Sequence, residues 1–280
     1  SHVLALLYGQ ITRSGSLNEI CDAASLHEPE LNRIRGATAP KRNTFSNANR
    51  TRDPAIAEKL YWDVFRHLQT ICPSFTQYSR HRGFIFRVKR GIFAIDSTTL
   101  KLSLDCIDWA RHRRRKAAAK THMRLNVGSM LPAFAIVEDA AHHDSKRADA
   151  LCEGMKDGDV LLADRAYVDL LFLHGLATRG VFFVLREKEN MVFEVLEETR
   201  HQDARILTDQ TVRLSRKGSA DKYPGTLRRV TAVVEVDGKD MEMTFITNNF
   251  DWSPRTIAEL YRARWAIESF FKELKQTLQL

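Results

Sequence analysis

Four residues near the C-terminus have types and spacing suited to chemistry: Tyr261, Arg264, Glu268 and Lys275. At roughly 100° per helical residue their directions fall within about 60° of one another, so all four share one narrow stripe. An acid, two cations and a phenol then occupy one face, while Leu260, Ile267, Phe271, Leu274 and Leu278 form an adjacent apolar face. Singly, each has an ordinary explanation. An Arg and a Glu on a helix are usually a surface pair of small energetic value, and Tyr261 could be plain core. A charged stripe beside an apolar face is instead a constellation held against something specific.

The spacing, Tyr, two residues, Arg, three residues, Glu, six residues, Lys, resembles the YREK signature of the insertion-sequence-four family of bacterial DDE transposases. In that family the Glu is the third metal-binding carboxylate and the Tyr, Arg and Lys touch transposon-end DNA. The resemblance therefore implies two aspartates upstream, each ending a hydrophobic strand. Asp96 follows Ile92-Phe93-Ala94-Ile95 and precedes Ser97-Thr98-Thr99, and Asp164 follows Val160-Leu161-Leu162-Ala163 and runs into Arg165-Ala166-Tyr167. Ala166 stands where the family usually has Gly. The implied catalytic and metal-binding residues are Asp96, Asp164 and Glu268, and the implied DNA contacts are Tyr261, Arg264 and Lys275.

Phosphodiester cleavage by water needs a strong nucleophile and a stabilised leaving oxygen, and two divalent cations about 3.5–4 Å apart supply both. Mg²⁺ is a hard cation that prefers carboxylate oxygens, and Mn²⁺ is expected to substitute for it. Three acids from distant parts of the chain can share two such ions and still leave positions for the scissile phosphate and water.

A chain of 280 residues with 44% hydrophobic content can bury a substantial core. The formal charge of +8 favours an acidic partner, above all nucleic acid. No apolar run approaches the roughly 18 residues of a spanning helix, so no membrane role is expected. Cys21, Cys72, Cys106 and Cys152 form no CxxC pair, which predicts reduced thiols in a cytoplasmic protein rather than a zinc site or a disulfide framework. The chain opens with a helical pattern at Ser1-His2-Val3-Leu4 and no secretory leader, and stops within another, as a fragment of a longer protein would.

The expected fold class is α/β: a ribonuclease H-like catalytic core with a β-rich insertion and a helical N-terminal region. Residues 1–75 read as helical, with breaks at Gly9, Gly15 and Pro40 and a cap at Asp53-Pro54. Within them the polar segment 41–50 resembles one that recurs in the family and is a possible DNA contact. Residues 76–90 are a basic linker. The core takes 91–186 and 248–280: three strands (91–98, 121–127, 133–138), a helix (145–154), a strand (159–164), a helix (168–178), a strand (181–186) and a final helix begun by Ser253-Pro254. The insertion, 187–247, contains Asp237-Gly238 between two apolar runs, a type I′ hairpin signal. The resemblance implies a base-stacking aromatic in this insertion for some members, for which Phe193 and Tyr223 are the candidates here.

Further cations extend the expected DNA surface. Arg111 to Lys116 is a dense basic run suited to phosphate contact. Lys120, His122 and Arg124 alternate along one strand, and the resemblance favours Lys120 and His122 facing the active site. Arg165, beside the second aspartate, is a further phosphate contact. His142, His143 and Asp144 are read as loop residues, because adjacent strand residues point to opposite faces. The resulting reading is a transposase that binds the inverted-repeat ends of an insertion sequence, cuts them with metal-activated water and transfers the strand to target DNA as a dimer on paired ends. Two rivals use the same residues: a ribonuclease H-fold nuclease or resolvase, and a truncated, non-catalytic DNA-binding protein derived from a transposase.

Overall fold

Helical periodicity in the first 75 residues resolves into five helices: α1 (His2–Thr12), α2 (Leu17–Leu26), α3 (Glu28–Arg35), α4 (Arg42–Thr51) and α5 (Ala55–Ile71). The structure, a computed structural model, describes residues 2–76, 90–102, 117–140, 144–236 and 238–278. The basic run 111–116, most of the linker 76–90, and Cys106, His142, His143 and Asp237 lie outside the described residues. By contacts the chain forms two compact units, residues 1–75 with 276–279, and residues 76–275 with 280.

In the first unit Ala5, Ile20, Cys21 and Phe45 make a small core. Ser16 caps α2 by accepting a hydrogen bond from the Glu19 amide, and the Asp53 carboxylate accepts from the Ala55 amide at the start of α5. Gly9 does not break its helix. It lies inside α1 because the Ile20 side chain packs against it where a Cβ would have to be. The polar segment 41–50 falls largely on α4, anchored by the buried ring of Phe45.

The second unit is built on one sheet of nine strands: β1 (Ile92–Leu102), β2 (Ala117–Asn126), β3 (Leu131–Asp139), β4 (Val160–Ala163), β5 (Phe182–Arg186), β6 (Phe193–Glu198), β7 (Ile206–Leu214), β8 (Thr226–Val236) and β9 (Lys239–Thr247). Their order across the sheet is β3-β2-β1-β4-β5-β9-β8-β7-β6. β1 runs antiparallel to β2 and parallel to β4, which is parallel to β5. This is the ribonuclease H-like arrangement. β4 is buried throughout and uniformly apolar, as a strand covered on both faces must be.

Helices cover the two faces. On one side lie α6 (Ala148–Leu151), α7 (Leu170–Thr178) and α8 (Lys217–Ala220), and on the other α9 (Pro254–Ala263) and α10 (Trp265–Leu278). The expected helix over 145–154 is shorter: a single 3₁₀ turn leads into α6, and the chain turns away at Gly154, whose φ of 73° suits glycine. The segment 187–247 contributes four strands to the same sheet, through antiparallel pairing of β9 with β5. β8 and β9 pair up to Val236 and Lys239, and Gly238, of the expected Asp237-Gly238 turn, has φ 75°. Tyr223 is buried in the core against Phe183 and His174, and Phe193 packs on the same cluster, so neither ring is presented to a base.

Candidate active site

The pleat of β1 decides which side carries the chemistry. Ile92 and Ala94 point into the core under α9 and α10, whereas Ile95 belongs to the core of the opposite face. Asp96, two residues beyond Ala94, therefore faces α9 and α10. Ala94 pairs with Leu162 of β4 in parallel register. Continuing that register by two residues sets Asp96 level with Asp164, on adjacent strands about 4.8 Å apart. β1 itself does not stop at the carboxylate. It continues to Leu102 paired with β2, while β4 ends at Ala163 and the chain turns away at Asp164. The sheet is thus open beside Asp96 at the carboxyl end of β4, the kind of edge where ligands gather in such sheets. That turn, Arg165–Tyr167, is a 3₁₀ turn, and Ala166 is absent from the residues with positive φ, so its backbone makes no demand for glycine.

The third acid arrives on the C-terminal helices. Ser253 caps α9 by accepting from the Thr256 amide, and Pro254 occupies the first turn. Ile257, Leu260, Tyr261, Ile267 and Phe271 bury the apolar face against the sheet. The single helix read from sequence is broken at Arg264. There the Arg264 amide bonds to the Tyr261 carbonyl and the Ile267 amide to the Arg264 carbonyl, three-residue spacings that tighten the turn between α9 and α10. Tyr261, Arg264 and Glu268 still meet at one place.

The Tyr261 hydroxyl donates to Asp164 Oδ1 at 3.2 Å. Arg264 Nη2 donates to Glu268 Oε1 at 2.6 Å, and its Nη1 lies 3.6 Å from Asp96 Oδ2. The guanidinium is buried and lies over the rings of Tyr261 and Trp265 at 5.4 and 5.5 Å. Asp96, Asp164 and Glu268 therefore gather around one cation and one phenol.

The electrostatics follow from that crowding. Burial pushes the Asp96 carboxyl up to about 6, with Glu268 and Asp164 adding to the rise, against the Ser97 amide and Arg264, which favour the ionised form. Tyr261 is pushed up to about 12, mainly by burial, so it stays a neutral donor. Burial opposes the charge on Arg264, yet Tyr261, Glu268 and Asp96 outweigh it and raise its pKa. Three carboxylates form a hard, oxygen-only donor set of the kind Mg²⁺ and Mn²⁺ prefer. As the side chains stand, no three acidic, histidine or cysteine side chains among the described residues lie close enough to share one ion. The guanidinium occupies the space between Asp96 and Glu268 instead.

The remaining candidates divide. Arg165 is about half exposed beside Asp164 and pairs with Glu189 at 3.1 Å. Lys275 is partly exposed on α10, and no described carboxylate pairs with it. Lys120 and His122 are corrected by the pleat: His122 lies opposite Ser97, so the alternation that places Asp96 under α9 and α10 sends both side chains to the other face. His122 is fully buried there, 3.1 Å from Glu138, which also pairs with Arg147. Sequence reasoning missed the Tyr261 to Asp164 bond and the bridging position of Arg264. The available signal was Trp265, which completes an aromatic cradle for the arginine together with Tyr261.

Residues 87–280 match the family described as transposase DDE domain, a span containing both strand aspartates and the helical glutamate. A protein of Geobacillus stearothermophilus named "Probable transposase for insertion sequence element IS5377" is 27% identical over 228 residues, covering 80% of this chain and 58% of the relative. A Sinorhizobium fredii protein whose name is that of a transposase, y4zB, is 32% identical over 191 residues, covering 66% of this chain and 52% of its own length. The chain thus spans somewhat over half the length of these relatives. A solved structure of a piggyBac transposase synaptic complex with hairpin DNA overlaps 99% of this chain and 58% of its own, at 10% identity and a TM-score of 0.47. With a family match over well more than half of its length, the chain belongs to the transposase DDE domain family.

Proposed function

We propose that this chain is the catalytic part of an insertion-sequence transposase, which binds the inverted-repeat ends of its element and carries out metal-dependent strand cleavage and strand transfer. The observation that carries the reading is the convergence of Asp96, Asp164 and Glu268 at one open sheet edge, with Tyr261 and Arg264 bonded to them. Members of the family generally use divalent metals. Asp96, Asp164 and Glu268 would hold two Mg²⁺ ions, which supply an activated water and stabilise the leaving oxygen. Tyr261 holds Asp164 in place through its hydroxyl. Arg165, next to Asp164 in the chain, and Lys275, partly exposed two turns beyond Glu268 on α10, suit the phosphates of a DNA end, as does Arg264 once its guanidinium is released from the carboxylates. Two ends must be processed together, which calls for a dimer on paired ends, acting on double-stranded DNA in the bacterial cytoplasm. No helix among the described residues is long and apolar enough to cross a membrane.

The test compares Asp96→Asn, Asp164→Asn and Glu268→Gln with the unaltered chain on a labelled end fragment in Mg²⁺. Cleavage is expected to disappear in all three while the shift of the fragment on a gel persists. A variant that still nicks the end removes its residue from the active site. A ribonuclease H-fold nuclease would cut branched or unrelated duplexes equally well, so preference for the element's own ends separates that alternative.

A further inference from the structure

Three arginines are buried among the described residues, Arg124, Arg228 and Arg264, and the last two are satisfied to very different degrees. Arg228 spends Nε and Nη2 on Asp209 and Nη1 on the Phe250 carbonyl, so its fork is bonded on every side, as a structural arginine requires. Arg264 is as deeply buried, yet among the described residues its Nε, like that of Arg124, has no hydrogen-bond partner; what sets it apart is that its charge faces two of the three acids. Its charge is held by Glu268, by Asp96 and by the faces of Tyr261 and Trp265. The two acids are those read as metal ligands. The residue also sits at the break between α9 and α10, where three-residue hydrogen-bond spacing marks a point at which one turn can reshape without unwinding either helix.

We propose that Arg264 is a resident counter-cation of the acid cluster: it holds Asp96 and Glu268 together, yields them to a divalent ion, and thereby frees its guanidinium for a DNA phosphate. This rests on the reading of Asp96, Asp164 and Glu268 as the metal site. Three carboxylates gathered at a partly buried edge repel one another, and an internal cation offsets that repulsion during folding. Such a cation must compete with the ion for the same oxygens. A planar fork that fits a carboxylate fits a phosphate equally well, so the released group has an acceptor once DNA is present. Loading the metal and arming this one DNA contact become a single event, while the other cations of the surface can bind DNA without it.

Titration calorimetry with Mn²⁺ on the whole chain, in the absence of DNA, tests the competition. Arg264→Gln is expected to bind Mn²⁺ about tenfold more tightly or better, the scale of one charge-assisted hydrogen bond, with Arg264→Lys in between. Unchanged or weaker binding by Arg264→Gln overturns the proposal. Asp96→Asn separates the two levels of the argument: if it binds Mn²⁺ as well as the unaltered chain, the metal site itself has been misplaced, whatever Arg264 does. The proposal also stands or falls on the unaltered protein, should the variants fold poorly. Trp265 lies under the guanidinium, so Mg²⁺ is expected to change its fluorescence with the same midpoint as binding, a signal lost in Trp265→Phe. Mg²⁺ binding without that change overturns the proposal.

Discussion

Replacing Asp96 by Asn is expected to stabilise the protein at neutral pH while removing its proposed chemistry. Burial and two neighbouring acids carry the Asp96 pKa from an ordinary 3.8 to about 6. The folded state therefore holds this proton longer than the unfolded chain does. The associated stability is fully present below about pH 4 and is lost as pH rises through about 6, the opposite sense from an aspartate whose pKa is depressed by a salt bridge. The free-energy equivalent is about 3 kcal/mol above pH 6. Asn has the shape of the protonated acid and keeps an oxygen for Arg264, but it gives up the ion pair, so a net gain of about 2 kcal/mol is a fair expectation. For a unit of this size that is about 4–8 °C in the melting temperature. Thermal unfolding followed by circular dichroism in EDTA, at pH 8 and at pH 4, measures it. Asp96→Asn should melt higher than the unaltered chain at pH 8 and at nearly the same temperature at pH 4. An equal loss of stability at both values would show that Asp96 is a structural partner of Arg264 and not an acid held under strain for a ligand.

Two further perturbations probe other parts of the unit. Lys275→Ala should weaken binding to end DNA and reduce the slope of log affinity against log salt by about one, the signature of one lost phosphate contact, and an unchanged slope removes Lys275 from the interface. Arg228→Met leaves Asp209 charged, buried and without its bidentate partner, with a cost of about 3–5 kcal/mol in urea unfolding. A loss below about 1 kcal/mol would mean that His201, 2.6 Å from Asp209, can carry the charge alone.

The sequence alone singled out the acids proposed as metal ligands. An apolar run ending in a carboxylate is local information, and so is the spacing Tyr261, Arg264, Glu268, because both follow from strand and helix periods a few residues long. The caps at Ser253-Pro254 and Asp53 and the antiparallel pairing of β8 with β9 were legible for the same reason. What the periods could not give is which face of a central strand meets which helix. Lys120 and His122 alternate as a cationic face should, but only pairing with β1 in register Ser97 to His122 shows that this face lies opposite Asp96. Likewise, four strands of the 187–247 segment read as an insertion, and only the pairing of β9 with β5 makes them part of the central sheet. Arg264 is the sharpest case. Its position on the stripe is a matter of spacing, but its burial between Asp96 and Glu268 depends on residues 168 and 4 positions away, brought together by a parallel strand pair and a broken helix. Charge burial is a property of packing, so the tertiary structure alone turned an expected surface cation into the internal partner of the acids.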